Sequence, residues 1–377
     1  MPSVFFFISA HGLGHAAREI EIINALAEVD PGLAIVVRTA APRWLLDATA
    51  RPPITLLPGE CDTGVVQVDS LRLDARTTID RAAAFHRTLD RRTGEEAAVL
   101  HRFDARLVVG DVPPLACAAA AAAGIPSVVI SNFTWDWIYE GYGEYLTGTP
   151  DLVPALRHAY SLASAGWRLP LHGGFTSVRP VLDLPFVARH ASHGRAEVRR
   201  RLRLPADRPL VLFSFGGYGL HGLDFGRLDC LDEYGVVLVP HDHEEPSALP
   251  AGVERVATSG LYAAGLRYED LVAAVDVVVS KPGYGIISEC LANGPALLYT
   301  SRGRFAEYDV LTAAMPRFLR SAFIDQDALF AGRWRKRLDA LLALPAPPEH
   351  PRTDGARVIA GMIRDLVNDR RSGDQEK

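Results

Sequence analysis

Val4-Phe-Phe-Phe-Ile-Ser-Ala-His-Gly-Leu-Gly-His-Ala-Ala-Arg-Glu19 sets an apolar run, a glycine–histidine turn and the start of a helical pattern in sixteen consecutive residues. The run Val4–Ser9 does not alternate, so it predicts a strand buried on both faces, as in a parallel sheet covered by helices. From Ala16 to Val29 apolar residues recur at helical spacing. The same pairing returns further along. Ala34–Arg38, Leu107–Gly110 and Ser127–Ser131 predict strands, and an alanine-rich stretch through Ala123 predicts a packed helix between the last two. Strand–helix alternation of this kind predicts an α/β fold with a doubly wound sheet.

The alternation lapses over 180–208, which is rich in proline, histidine and arginine. It resumes with strands at Leu210–Ser214, Val236–Val239, Val275–Ser280 and Ala296–Tyr299 and helices at Leu271–Ala274 and Ile286–Ala292. A linker is therefore expected near 183–195, with domains at 1–185 and 195–377, a division that suits a chain of 377 residues. A last helical segment, Gly355–Asn368, follows a proline-rich loop and is expected to pack on either domain.

Composition narrows the function. Hydrophobic residues at 48% and charged residues at 23% exclude global disorder. A net charge of −5 argues against general electrostatic capture of nucleic acid, though a local basic groove stays open. The apolar start has no basic flank and is too short for a signal peptide or a membrane span. Cys61, Cys117, Cys230 and Cys290 are widely spaced without a CxxC pair, which predicts a cytoplasmic setting and no thiolate zinc site. Lysine stands only at 281, 336 and 377, and only Lys281 falls inside a candidate site.

Three glycine-rich turns carry the chemistry. In the first, Gly12 and Gly14 let a ligand approach a helix N-terminus, flanked by His11 and His15. The spacing is not that of a dinucleotide fingerprint. A histidine at the carboxyl end of a parallel strand faces the ligand crevice and suits proton abstraction from a hydroxyl. The second is Phe213-Ser-Phe-Gly-Gly-Tyr-Gly219, where Gly216 and Gly217 offer backbone N–H groups to a phosphate. The third is Val278-Val-Ser-Lys-Pro-Gly-Tyr-Gly-Ile-Ile-Ser-Glu289. Its amides around Gly283, Tyr284, Gly285 and Ile286 suit a diphosphate, Lys281 adds a point charge, and Glu289 is placed to accept from a ribose diol. The turn 301–309 adds Arg304 and Glu307 for a sugar or phosphate. Asn132, Trp135, Asp136 and Trp137 gather aromatic and polar groups after a strand, where they either meet a sugar or form a core. His241-Asp-His-Glu-Glu245 has metal-like composition but no matching third ligand, so a polar loop is expected there.

Taken together these residues resemble the GT-B glycosyltransferases, in which two Rossmann-like doubly wound domains face a central cleft. The glycine–histidine turn is similar to that of the peptidoglycan N-acetylglucosaminyltransferase and the diacylglycerol glucosyltransferases. A closer resemblance runs through five motifs in order: Gly12–Arg18, Asp111-Val-Pro-Pro-Leu-Ala-Cys117, Ser131–Tyr139, Phe215-Gly-Gly and Lys281–Glu289. These look like the glycosyltransferase-like N-terminal region of plant L-arabinokinases. The sequence has no sugar-kinase phosphate loop, so kinase activity is not implied.

The resemblance implies a metal-independent, inverting transfer of a sugar from a nucleotide-diphosphate donor, most simply a UDP-sugar, with no cofactor. His15, with His11 and Asp111, would be catalytic. Gly14, Gly216, Gly217, Lys281, Gly283, Tyr284, Gly285, Ile286, Glu289, Arg304 and Glu307 would hold the donor, and Asn132, Trp135, Asp136 and Trp137 would line the acceptor side. The acceptor stays open among small molecule, lipid, protein and nucleic acid, as does a homodimer. A GT-B epimerase or hydrolase and a non-catalytic nucleotide-sugar-binding protein remain as alternatives.

Overall fold

The computed structural model describes residues 2–216, 220, 222–239 and 249–375, with side chains through 369. It contains two parallel sheets with helices on their faces. The first has seven strands: β1 (Ser3–Ile8), β2 (Ala34–Thr39), β3 (Thr55–Pro58), β4 (Ala105–Asp111), β5 (Ser127–Ser131), β6 (Ala165–Arg168) and β7 (Val181–Asp183). Their order is β3-β2-β1-β4-β5-β6-β7. The second has six: β8 (Leu210–Phe213), β9 (Gly235–Leu238), β10 (Val253–Arg255), β11 (Val277–Ser280), β12 (Ala296–Tyr299) and β13 (Ser321–Phe323), in the order β10-β9-β8-β11-β12-β13.

β1 shows why the phenylalanine run makes a central strand. Val4, Phe6 and Ile8 pack with Ile20 and Ile23 of the helix Gly14–Val29 on one face. Phe5 and Phe7 pack with Val108, Ala116 and Ala119 on the other. Both faces are buried, so alternation is absent from the sequence.

In each sheet the chain reverses its direction of travel beside the first strand of that lobe, at β1 and at β8. Ile8 lies level with Asp111, and Ser280 lies level with Tyr299. The loops after β1, β4 and β5 therefore emerge side by side, as do those after β8, β11 and β12. These are the switch points where doubly wound sheets take ligands.

The chain crosses between the lobes twice. Phe186 N–H donates to the Arg352 carbonyl at 3.0 Å, and Gly355 N–H donates to the Phe186 carbonyl at 2.9 Å. A Cβ on Gly355 would lie 2.5 Å from the Pro185 carbonyl oxygen, so only glycine fits this junction. The helix Gly355–Gln375 then packs against Gly14–Val29 and β4 of the first lobe.

Sequence patterns missed the edges. β3, β6, β7, β10 and β13 hold three or four residues each and carry little apolar signal. The charged helices Ala75–His86 and Leu89–Arg102 were likewise not anticipated. Among the described residues, no helix is long and apolar enough to cross a membrane.

Candidate active site

A cavity of about 920 Å³ opens between the two sets of strand ends. Its first-lobe wall is the turn 11–15. Gly12 has a φ of +68°, the left-handed conformation that turns the chain sharply before the helix begins at Gly14. His15 sits in the first turn of that helix. Its Nδ1 lies 2.8 Å from Oδ1 of Asp111 at the end of β4. Arg18, one turn on, also reaches Asp111, with Nε 2.9 Å from Oδ2 and Nη2 2.6 Å from Oδ1. Arg18 Nη2 donates to Ser131 Oγ and Nη1 to Asn132 Oδ1, each at 3.3 Å.

Asp111 is wholly buried, which by itself would raise its carboxyl. Arg18 and then His15 more than offset that, and the group is held below its ordinary value. His15 Nδ1 stands between Asp111 Oδ1 and Arg18 Nη2, the latter at 3.1 Å; the shorter contact, to the carboxylate, favours a proton on Nδ1 and leaves the lone pair on Nε2. Glu19 lies beside this cluster with neither carboxyl oxygen hydrogen-bonded. Burial first, then the charge of Asp111, push it well above its ordinary value.

The second-lobe wall is the start of the helix Tyr284–Asn293, with Gly283 as its cap. A Cβ built on Gly285 would lie 3.9 Å from Gly14 Cα. Two helix N-termini thus meet across the cavity, each with unpaired N–H groups and positive dipole ends. Tyr284 lies beneath Arg18, whose guanidinium is 5.0 Å from the ring centroid, and its hydroxyl accepts from Val187 N–H at 3.1 Å. Glu289 is buried and bonded by both Nε (2.8 Å) and Nη2 of Arg189, from the interlobe segment. Burial raises Glu289 despite that pair. Arg189 also lies 3.5 Å from Glu269 and over the Tyr268 ring.

Beyond the glycines, Lys281, Arg302, Phe305 and Glu307 form the cavity's far wall. Asn132 Nδ2 donates to Glu307 Oε1 at 2.7 Å, tying the turn after β5 to the second lobe. Arg302 is 3.5 Å from Glu307 and stacks over Phe305. Burial, then the neighbouring Arg302, draw Lys281 down to about 7.

The cavity thus collects His11, Gly14, His15, Asn132, Gly216, Lys281, Gly283, Tyr284, Gly285, Ile286, Glu289 and Glu307 from the expected set, with Asp111 directly behind His15. Gly217 and the His241–Glu245 stretch lie outside the described residues. Four residues stand apart. Arg304 is exposed and pairs with Glu144, because the turn at Gly303 points it outward. Asp136 is buried away from the cavity, accepting from Ser177 Oγ at 2.7 Å. Trp137 lies over Gly173 and Gly174, where added Cβ atoms would come within 2.3 and 2.6 Å of its ring. Gly173→Ala is expected to cost about 1–3 kcal/mol by overpacking, read as a lower urea midpoint. Trp135 is buried, its indole N–H donating to Asp62 at 2.7 Å.

Arg18, Glu19, Arg189 and Arg302 were not anticipated. Arg18 had a legible clue, since i and i+3 share a helix face and place it beside His15. Arg189 and Arg302 come from loops that only tertiary structure brings to the cavity. Among the described residues, no group of three or more His, Cys, Asp or Glu is arranged to hold a metal ion.

Two facing Rossmann-like domains with a cleft at their switch points define the GT-B fold, and solved glycosyltransferases share it. The kitacinnamycin glycotransferase matches with a TM-score of 0.62 and 18% identity, over 97% of this chain and 98% of that one. The calicheamicin glycosyltransferase CalG4 gives 0.61 and 15%, over 97% and 98%. VinC, solved in complex with dTDP, gives 0.58 and 18%, over 98% and 95%. In sequence, the chain is similar to L-arabinokinase of Arabidopsis thaliana, 27% identical over 374 residues. That alignment covers 96% of this chain but spans only 34% of the relative's length. No family model matches the chain.

Proposed function

We propose that this protein is a glycosyltransferase that moves a sugar from a nucleotide-diphosphate donor, a UDP-sugar in the simplest case, to an acceptor hydroxyl. The observation that carries the reading is the pairing of His15 with buried Asp111 at the mouth of a cavity where two helix N-termini meet. The amides at Gly14 and at Gly283–Gly285 would receive the diphosphate, stabilising it as it leaves without a metal. Glu289 would accept from the ribose. Gly216, and Gly217 beside it, would complete the phosphate cradle.

His15 Nε2 would take the acceptor proton as the hydroxyl oxygen attacks the anomeric carbon. The bond to the diphosphate breaks as the new bond forms, which inverts that centre. Asp111 holds the tautomer and stabilises the imidazolium. Closing the lobes would exclude water, the competing acceptor. An epimerase or hydrolase would turn over donor alone, and a non-catalytic binder would turn over nothing.

The direct test is a thermal-shift screen of nucleoside diphosphates and nucleotide-sugars, since a ligand that binds only the folded state raises the melting point. No shift with any of them overturns the donor assignment. Epimerised sugar from donor alone overturns the transfer reading.

Lys281 adds a pH signature. Its ammonium is charged below about 7 and neutral above it. Affinity for UDP is therefore expected to fall as pH rises from 6 to 8.5. Lys281→Arg keeps its charge across that range and should flatten the profile. Titrations at several pH values check this, and an identical slope in both proteins removes Lys281 from the diphosphate site.

A further inference from the structure

The turn 11–15 carries two histidines into one cavity, and their surroundings differ. His15 is bonded to an anion, as described. His11 is bonded to a donor: Val65 N–H points at His11 Nδ1 at 3.2 Å. An N–H can only be received by a ring nitrogen that has a lone pair, so Nδ1 of His11 is unprotonated. The single proton of the neutral ring then sits on Nε2.

The packing fixes this arrangement. A Cβ on Gly64 would lie 2.8 Å from His11 Cβ and 2.9 Å from Nδ1, and Gly64 has a φ of +58°. The backbone passes directly against the Nδ1 edge, which only glycine allows. The ring face stacks on Phe305 of the second lobe, with centroids 6.0 Å apart and planes at 17°, and Trp135 meets it edge-on at 5.4 Å. The charged or titratable groups that face it are Arg302, His15 and Lys281. Burial first, then these groups, hold His11 well below its ordinary value.

We propose that His11 is a catalytic hydrogen-bond donor, its Nε2–H aimed at the diphosphate oxygen that leaves the anomeric carbon, while His15 alone exchanges a proton. This rests on the reading of the cavity as a nucleotide-sugar site. Two histidines four positions apart are split by what stands nearest their Nδ1 atoms: a backbone N–H at His11, and at His15 a carboxylate at 2.8 Å, closer than the Arg18 Nη2 at 3.1 Å. His11 gains and loses no proton during turnover. It offers the oxygen more hydrogen-bond stabilisation as negative charge grows there, and its neutral state avoids a third cation beside Lys281 and Arg302. Phe305 carries the second lobe to the ring, so the donor is in place only when the lobes meet.

The test uses the full chain with the nucleotide-sugar that gives the largest thermal shift. His11→Leu should lower kcat by about 10²–10³-fold, the usual loss for one such donor, with KM changed far less. His11→Gln, whose amide N–H can stand near Nε2, should recover at least part of that loss. The acid limb of the kcat/KM profile should keep its midpoint in His11→Gln, because His15 is the base in the proposed transfer. UDP thermal shifts in both variants report folding and binding independently. A lost or displaced acid limb in His11→Gln would make His11 the base and overturn the assignment. Wild-type kcat in both variants would reduce His11 to packing. Failure of every nucleotide to shift the unmodified protein would instead count against the donor site itself.

Discussion

His15→Ala is expected to abolish most sugar transfer, by about 10²–10⁴-fold, while UDP still raises the melting point. The side chain lies in the first turn of its helix, and its removal would take away the base proposed for the acceptor without touching the amides at Gly14 or Gly283–Gly285. Asp111→Asn should fall in the same range for a different reason. The amide is no longer an anion, so it neither selects the Nδ1–H tautomer nor stabilises the imidazolium. A product assay under saturating donor measures both variants. Transfer at the ordinary rate in His15→Ala would remove the histidine from the chemistry, and equal loss of transfer and of UDP binding would mark a collapsed cavity.

Arg18→Leu should produce the largest loss of stability, about 3–5 kcal/mol, because it leaves a buried carboxylate without its guanidinium. Asp111 is fully enclosed and receives two hydrogen bonds from Arg18. The sign of the pH dependence follows. In the unmodified protein the Asp111 carboxyl is depressed, so its stabilising pair is present above the ordinary carboxylate range and is lost only as pH falls through the lower folded value. Without Arg18 the burial contribution dominates and the carboxyl rises. The variant's deficit should therefore be greatest near neutral pH and narrow toward acid, where protonation discharges the orphaned group. Urea unfolding at pH 7 and pH 5 measures it. A deficit under 1 kcal/mol at neutral pH, or one that widens in acid, would show that Arg18 does not hold Asp111 ionised.

Sequence revealed the centre of each sheet and left its margins blank. β1, β4, β5, β8, β11 and β12 are buried on both faces, so their composition is constrained by packing. Val181–Asp183 in β7 is exposed along its length, and pairing with β6 rather than apolar content makes it a strand. One turn residue was legible because glycine is favoured where the chain turns sharply through a left-handed conformation, as at Gly12. The charge arrangement was not. Glu289 reads in sequence as a free carboxylate at a helix start, but Arg189 from the interlobe crossing already binds it. Trp137 reads as either a sugar platform or a core residue, and the small residues at 173 and 174 give it a pocket of its own. Residues 36 to 100 positions away decide both, and local periodicity carries no trace of them.

The return of the helix Gly355–Gln375 to the first lobe has a consequence for synthesis. Its docking site on Gly14–Val29 is translated long before it, with the whole second lobe in between. The apolar face formed by Ile359, Ile363 and Val367 cannot cover that site until the whole second lobe has been translated. The first lobe therefore waits, incomplete, through the making of the second. The two halves mature together, and nascent chains stalled before residue 355 should be held by chaperones or cleared by proteases.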